Sequence, residues 1–123
     1  MSEEAVLISM CSLGIACQYR PHSFKRKIVD EYKKKYSLIP VCPEQLGGLP
    51  TPRMACHLDG NKVIGRNNVD YTENFVRGSE LTLKIAKTYG VKKAYLKKRS
   101  PSCGKNGVTR KLLEKNDIKV YQI

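Results

Sequence analysis

The sequence predicts an α/β fold: a single domain with a mostly parallel sheet flanked by helices and a small β-hairpin insertion. Three observations predict it. Short apolar segments alternate with amphipathic ones along the chain, which is the pattern of parallel strands joined by helices. An Asp59-Gly60 pair between two strand-like segments is a hairpin turn signal. The length of 123 residues, 41% of them hydrophobic, suits one globular domain over residues 1–123.

The first half of the chain is predicted to contain two strands, one helix and a loop. Residues 5–10 form a short apolar run typical of a buried strand. Apolar residues then recur at helical spacing over residues 23–35, so we expect a helix with a basic outer face. Residues 38–41 predict the second strand, which ends before Pro43 because proline cannot continue a central strand. Residues 46–53 are rich in Gly and Pro and predict a loop.

The second half begins with the hairpin, predicted over residues 54–65. Thr72 is then the expected N-cap of a long helix, with Glu73 in its first turn and Gly90 at its end. A strand over residues 91–96 follows, and then a loop, a helix over 107–115 and a last strand over 118–123. This order describes a Rossmann-like sheet, in which ligands bind beyond the carboxyl ends of the strands.

The chain carries 23 basic and 11 acidic residues, a formal net charge of +12. Such an excess favours an anionic partner, such as a nucleic acid, a nucleotide or another phosphorylated small molecule. A lysine-rich soluble surface explains the charge equally well. No apolar run reaches 18 residues, so we expect no membrane span. Residues 1–10 lack the features of a signal peptide, so we expect a cytoplasmic protein.

Five cysteines are unusual in a chain of this length, and in a cytoplasmic protein they are poor candidates for disulfides. Cys11, Cys42 and Cys103 each follow a predicted strand, so the fold is expected to bring them to one edge of the sheet. Cys17 and Cys56 do not fall at strand ends. Three converging thiolates suit an iron–sulfur cluster with one open iron, or a catalytic zinc ion with an open position. Independent buried cysteines remain the alternative.

Two charged residues stand near Cys42 in the sequence. Glu44 follows it by two positions, where a carboxylate beside a metal centre can act as a general acid or base. Most glutamates in loops are instead ordinary surface residues. Arg53 ends the Gly- and Pro-rich loop and can clamp an anionic substrate, or it can be a solvated charge. Arg20 and Arg99 are weaker candidates for the same role.

The segment around Cys103 is rich in hydroxyl groups and contains Ser100, Ser102, Gly104 and Lys105. Such a loop, followed by the N-terminus of a helix, can present N–H groups and hydroxyls to an anion or an oxyanion. An ordinary strand-to-helix turn is the alternative. Gly104, Lys105 and Arg53 are the expected substrate-binding residues, together with Ser12 next to Cys11.

Three strings carry a resemblance to a known family. They are CSLGIACQYR at residues 11–20, VCPEQLGGLPTPR at 41–53 and RSPSCG at 99–104. Two longer stretches, TENFVRGSELTLKIAKTYGVKKAYLK and GVTRKLLEKNDIKVYQI, match the helix and strand segments of the same family. In this order the motifs closely resemble the TudS-type thiouracil desulfidases over nearly the whole chain.

The resemblance implies a 4Fe–4S cluster held by three cysteines, which correspond here to Cys11, Cys42 and Cys103. It further implies that the open fourth iron binds the thione sulfur of a thiopyrimidine, and that water attacks the thione carbon. The products are the carbonyl compound and hydrogen sulfide, without net redox change. The family's catalytic carboxylate corresponds to Glu44 and its catalytic serine to Ser100, with Ser102 as the second choice.

The chain departs from the family pattern in two places. Family members often carry a longer glycine-rich insert between the SCG and GVT motifs, where only Lys105 and Asn106 stand here. Cys56 stands where the family has no cysteine, and we interpret it as incidental. Cys17 resembles a family feature that is not a cluster ligand, and it is the first substitute if Cys42 is not one.

The substrate is expected to be a small thiolated pyrimidine, either free thiouracil or 4-thiouridine monophosphate, and the +12 charge favours the nucleotide. One alternative is a desulfidase that acts on intact tRNA, which a basic surface can hold weakly. No aromatic stacking platform is evident for that role. Another alternative is a non-catalytic module that binds a metal or nucleic acid. We expect a monomer or a weak dimer.

Overall fold

A four-stranded parallel sheet and a separate two-stranded hairpin form the framework of the protein. The computed structural model describes residues 4–15, 26–51, 53–98 and 100–123. Its strands are β1 (Glu4–Ser9), β2 (Tyr36–Val41), β3 (Cys56–Asp59), β4 (Lys62–Gly65), β5 (Lys93–Leu96) and β6 (Lys119–Gln122). Its helices are α1 (Ile28–Lys35), α2 (Pro43–Leu46), α3 (Thr72–Thr88) and α4 (Val108–Lys115), with a short 3₁₀ helix at Met10–Ser12.

The strands of the main sheet lie in the order β2-β1-β5-β6, and every neighbouring pair is parallel. The predicted parallel sheet with flanking helices is therefore confirmed. The hairpin at Asp59-Gly60 is also confirmed, since β3 and β4 pair antiparallel across it. None of the described helices is long and apolar enough to cross a membrane.

The two faces of the sheet carry separate apolar layers, because successive side chains of a strand point to opposite faces. On one face, Leu7 and Leu96 pack with residues of α3 and α4, among them Ala86 and Leu113. On the other face, Val6, Ile8 and Tyr95 pack with α1. Tyr95 also stacks between Tyr32 and Tyr121, at ring-centroid distances of 4.2 and 5.2 Å. This stack was not expected from the sequence, and the buried Tyr95 makes it largely part of the core.

Two details of the elements differ from the sequence prediction. Strand β2 begins at Tyr36 and includes Pro40. Because β2 lies at the edge of the sheet, it tolerates a proline, whose missing N–H can face solvent instead of a neighbouring strand. Thr72 is the first residue of α3 rather than its N-cap. Its own N–H donates to the Asp70 carboxylate at 2.8 Å, and its hydroxyl accepts from the Val63 N–H at 2.9 Å.

The end of α3 and the start of α2 each depend on a residue with a special backbone. Gly90 has a φ of +65° and closes α3, as predicted, and the N–H of Val91 reaches back to the Ala86 carbonyl at 2.8 Å. Helix α2 was not predicted, because residues 43–45 were assigned to no element and residue 46 to the start of a loop. It forms because Pro43 occupies its first turn, where a missing N–H costs nothing. The predicted helix start at residue 23 lies outside the described residues.

Candidate functional site

Three buried cysteines lie at the carboxyl edge of the main sheet. Cys11 is in the 3₁₀ helix after β1, Cys42 connects β2 to α2, and Cys103 is in the loop after β5. Since β1 lies between β2 and β5, the parallel strands deliver all three residues to the same edge. Cys11 and Cys42 pack in one cluster, partly covered by Met10. The three cysteines are only 5–8% exposed.

The loop that carries Cys103 is built around the Ser100 side chain. The Ser100 hydroxyl oxygen accepts the N–H groups of Ser102 and Cys103, both at 3.1 Å. The N–H of Gly104 closes the turn by donating to the Ser100 carbonyl at 2.8 Å. From the end of β6, the Gln122 amide donates to the Cys103 carbonyl at 2.8 Å. The position of the Cys103 backbone is therefore fixed from two sides.

The Cys103 thiol lies in an environment that disfavours a lone thiolate. Burial raises its pKa to about 12, and the negative charges of Glu44 and Cys42 act in the same direction. Hydrogen bonds with Ser9 and Ser102 oppose the rise in pKa only partly. A thiolate becomes favourable here once a positively charged partner, such as a metal centre, compensates for the lost hydration.

The donor set fits an iron–sulfur cluster, which is typically held by cysteine thiolates within a protected pocket. Within the described ranges, no group of three Cys, His, Asp or Glu side chains is arranged to hold a single metal ion. A cluster does not require that arrangement, because its ligands bind different irons and stand further apart than ligands that share one ion. Cys17, the substitute ligand considered above, lies outside the described residues.

Glu44 and Arg53 form an ion pair at the edge of the cysteine site. The pair joins the Glu44 carboxylate to one terminal nitrogen of Arg53, and their side chains are 16% and 5% exposed. The other terminal nitrogen of Arg53 donates to the Pro50 carbonyl at 2.9 Å and to the Thr51 hydroxyl at 3.0 Å. Gln45 holds the same Thr51 hydroxyl at 3.0 Å. Arg53 therefore orients a carboxylate and is not an isolated anion clamp.

Helix α2, which carries Glu44, lies directly against the backbone of α3. A Cβ atom added at Gly78 would lie 1.8 Å from the Pro43 carbonyl oxygen, and one added at Gly47 would lie 1.9 Å from the Asn74 carbonyl oxygen. The Asn74 side chain also donates to the Gly47 carbonyl at 2.9 Å. Sequence reasoning missed this contact. Its signal was a glycine in the middle of a long helix, where glycine normally costs stability.

The remaining predicted residues are in or near the site but differ in what they can contact. Ser102 is 1% exposed, and its hydroxyl is 2.6 Å from that of Thr109. Ser12 is buried, with its carbonyl accepting the Arg26 N–H at 2.8 Å. Gly104 is buried, whereas Lys105 is exposed. Arg20 and Arg99 lie outside the described residues.

The loop after β5 does not offer its N–H groups to an anion as predicted. Those of Ser102, Cys103 and Gly104 bond to Ser100, and that of Gly107 bonds to the Gly104 carbonyl. The first N–H groups of α4 donate to the carbonyls of residues 101 and 102. The N–H groups of residues 102–104 and 107 in the expected anion-binding loop are thus bonded within a closed turn.

Cys56 lies nearer to the site than the sequence indicated. Burial raises the pKa of its thiol, the Glu44 carboxylate raises it further, and Arg53 lowers it. It lines a cavity of about 180 Å³ together with Arg53 and Tyr71, among other residues. The interpretation of Cys56 as incidental does not account for this position beside the ion pair.

Comparison with known proteins tests what this arrangement means. A family model described as 2-thiouracil desulfurase matches residues 6–122. The chain belongs to the 2-thiouracil desulfurase family. An uncharacterized protein of Bacillus subtilis, YbbK, is 35% identical over 113 residues, covering 80% of this chain and 72% of its own length. The solved structure of a 4Fe–4S-dependent thiouracil desulfidase, TudS, superposes with a TM-score of 0.90 at 31% identity, over 98% of this chain and 91% of that one.

Membership of the 2-thiouracil desulfurase family supports an enzyme that removes sulfur from thiouracil. The resemblance to the thiouracil desulfidases is thereby confirmed. The match to a 4Fe–4S-dependent relative supports an iron–sulfur cluster as the cofactor. It also agrees with the fold, since the similarity extends over both the parallel sheet and the hairpin.

Proposed function

We propose that the protein hydrolyses the C=S bond of a thiolated pyrimidine, and that Cys11, Cys42 and Cys103 hold the 4Fe–4S cluster on which the reaction depends. Water supplies the oxygen of the carbonyl product, and the sulfur leaves as hydrogen sulfide, so no electrons are gained or lost. The observation that carries the proposal is the convergence of three buried cysteines with Glu44 at one sheet edge. Family membership supports the same reaction.

A 4Fe–4S cluster held by three cysteines would have one iron without a protein ligand. That iron would supply a soft Lewis acid, which is suited to bind a thione sulfur. The residues around it have separate tasks. The low exposure of the cysteines keeps bulk water away from the metal ligands. The loop hydrogen bonds of Ser100 and Gln122 fix the Cys103 backbone through contacts within the protein.

Glu44 is the proposed general base. It accepts one proton from the water that adds to the thione carbon, and it returns this proton to the departing sulfur. The second proton of the water passes from the new hydroxyl to the sulfur as the carbonyl forms and the C–S bond breaks, so the sulfur leaves as hydrogen sulfide. Arg53 keeps the carboxylate oriented, because the ion pair holds the Glu44 side chain in one position. Arg53 is therefore a positioning residue for Glu44 in this proposal.

Ser100 is the proposed hydrogen-bond donor to the substrate. Its oxygen already accepts two backbone N–H groups, which leaves its O–H free to donate and polarises it. Ser102 is less suited to this role, because its buried hydroxyl is bonded to Thr109. Ser102 instead supports the loop and the Cys103 thiol.

The size of the substrate is a further part of the proposal. The net charge of +12 favours 4-thiouridine monophosphate over the free base. Among the described residues of the predicted anion site, Lys105 alone is exposed and forms no ion pair, so its charge is the proposed contact for the phosphate. Equal kcat/KM for base, nucleoside and monophosphate would refute a phosphate site. Activity on intact thiolated tRNA alone would favour the tRNA alternative.

The test uses protein reconstituted anaerobically with iron and sulfide, because a 4Fe–4S cluster with an open iron is oxygen-sensitive. Loss of thione absorbance and release of sulfide are measured with 4-thiouridine monophosphate. Alanine at Cys11, Cys42 or Cys103 should abolish iron binding, whereas Cys56→Ala should keep it. Glu44→Gln should keep the iron and lower turnover by about 10²-fold or more. Full turnover in Glu44→Gln, or full iron in Cys42→Ala, would contradict the proposal.

A further inference from the structure

A groove of about 920 Å³ runs between α3 and α4, on a part of the molecule that the proposed reaction does not use. Its volume is near the upper end of what protein binding sites commonly enclose. The lining includes the apolar side chains of Leu58, Val76, Leu83, Val108 and Leu112. None of the three site cysteines, nor Glu44 or Ser100, lines it. A function for this groove is therefore separate from the desulfidase site.

The shape of the groove follows from the two helices. The lining positions on α3 recur every three or four residues from Val76 to Thr88, and those on α4 do so from Val108 to Lys115. Such spacing presents one face of each helix to the groove. The α3 face is about 18 Å long at the rise of an α-helix, which matches an occupant helix of about three turns. Val76 is 40% exposed, so this apolar surface is incompletely covered.

The rim of the groove is strongly basic. Lys84, Lys87, Lys111 and Lys115 line it and are exposed, and Glu80 is its one acidic residue. Within the described part of the chain, none of these four lysines forms an ion pair. Elsewhere on α4, by contrast, Arg110 pairs with Glu114 at 3.2 Å. An occupant with acidic flanks and an apolar face would complement both the rim and the floor.

We propose that this groove binds an acidic amphipathic helix of another protein. Helix-in-groove recognition uses apolar anchors at helical spacing, and charges at the edges set the choice of partner. A second copy of the chain is disfavoured, because each copy would bring four lysines to the contact. Residues 16–25 contain Arg20, Lys25 and Pro21 and no acidic residue, so this segment does not complement the rim either. Among the described residues that line the groove, none has an aromatic side chain on which nucleic acid bases could stack.

The probe is a fluorescein-labelled peptide of about fourteen residues, with leucines on one helical face and glutamates on the flanks. A peptide of the same composition in scrambled order controls for charge alone. Fluorescence anisotropy with anaerobically reconstituted protein measures binding. We expect the amphipathic peptide to bind, and to lose about tenfold or more in affinity to the Lys84→Glu/Lys111→Glu variant. Leu83→Ser should also weaken binding.

The matched control is Lys34→Glu/Lys92→Glu, which makes the same charge change at exposed lysines outside the groove. It should bind the peptide like the wild type apart from a small loss from the reduced net charge. An unchanged circular dichroism spectrum and an unchanged Tm in both double variants show that they are folded, and this control keeps the test independent of the proposed function. Equal binding of the scrambled peptide, equal losses in the two double variants, displacement of the peptide by a single-stranded RNA, or no binding at all would each overturn the proposal.

Discussion

Replacing Gly78 by alanine tests whether α3 sets the position of Glu44. The added Cβ would lie 1.8 Å from the Pro43 carbonyl oxygen, a backbone atom that cannot rotate away. Contacts below 3.0 Å essentially never occur for a real Cβ, so α2 has to move by more than about 1 Å. Glu44 follows Pro43 directly and has to move with it.

The energetic cost can be estimated from two opposing effects. Overpacking of this kind costs about 1–3 kcal/mol. Alanine in the middle of a helix is more stable than glycine by about 0.5–1 kcal/mol, and this gain offsets part of the overpacking cost. The net loss is about 1 kcal/mol, which lowers the Tm by about 4 °C for a chain of this size. A carboxylate misplaced by about 1 Å lowers turnover by about 10²-fold.

The assay compares kcat, KM, iron content and Tm for Gly78→Ala and for Arg77→Ala. Arg77 is the exposed neighbour on the same helix and serves as the control. We expect Gly78→Ala to lose kcat far more than its small change in stability explains, with iron still bound. A Gly78→Ala protein that is more stable and fully active would show that the backbone contact has no role in placing Glu44.

Three further predictions concern single side chains. Ser100→Ala removes the acceptor for two N–H groups of the Cys103 loop, so both iron retention and turnover should fall; unchanged iron release on addition of a chelator would contradict this. Cys56→Ser should leave the iron content intact. Among the described cysteines, Cys56 is the one that alkylating reagents reach most readily, so the variant should lose the main site of alkylation, as peptide mapping can check. The hydrogen bonds from Thr72 hold the pKa of Asp70 below its usual value, so Asp70 stabilises the fold above the pKa of the unfolded chain, and this contribution is lost as the pH falls through the lower folded pKa. Asp70→Asn should therefore lower the Tm at pH 7 and have little effect at the acidic end of a pH series.

The parallel sheet and the meeting of the three cysteines were predictable because they depend on local signals. Short apolar strands alternate with amphipathic helices, and each of the three site cysteines lies in the segment that follows a strand. Parallel strands bring their carboxyl ends to one edge whatever the intervening sequence does. No detail of side-chain packing was needed for that conclusion.

The parts that sequence reasoning missed depend on contacts between distant residues. The approach of α2 to α3 joins Gly47 to Gly78, and the N-terminus of α3 is capped by Asp70 because the Thr72 hydroxyl is taken by Val63. Local patterns predict no helix in the first case and a threonine cap in the second. In both cases a tertiary hydrogen bond or a backbone contact outweighs the local preference.

The cysteine pocket owes its shape to contacts in which no metal takes part. Ser100 and Gln122 hold the Cys103 loop, and α3 holds the α2 turn that follows Cys42. When oxygen destroys a cluster in this pocket, we expect the chain to stay folded with its ligands still in place. The cluster of such a protein could then be rebuilt by supplying iron and sulfide. Because the chain stays folded, we expect it to avoid the proteolysis that follows unfolding.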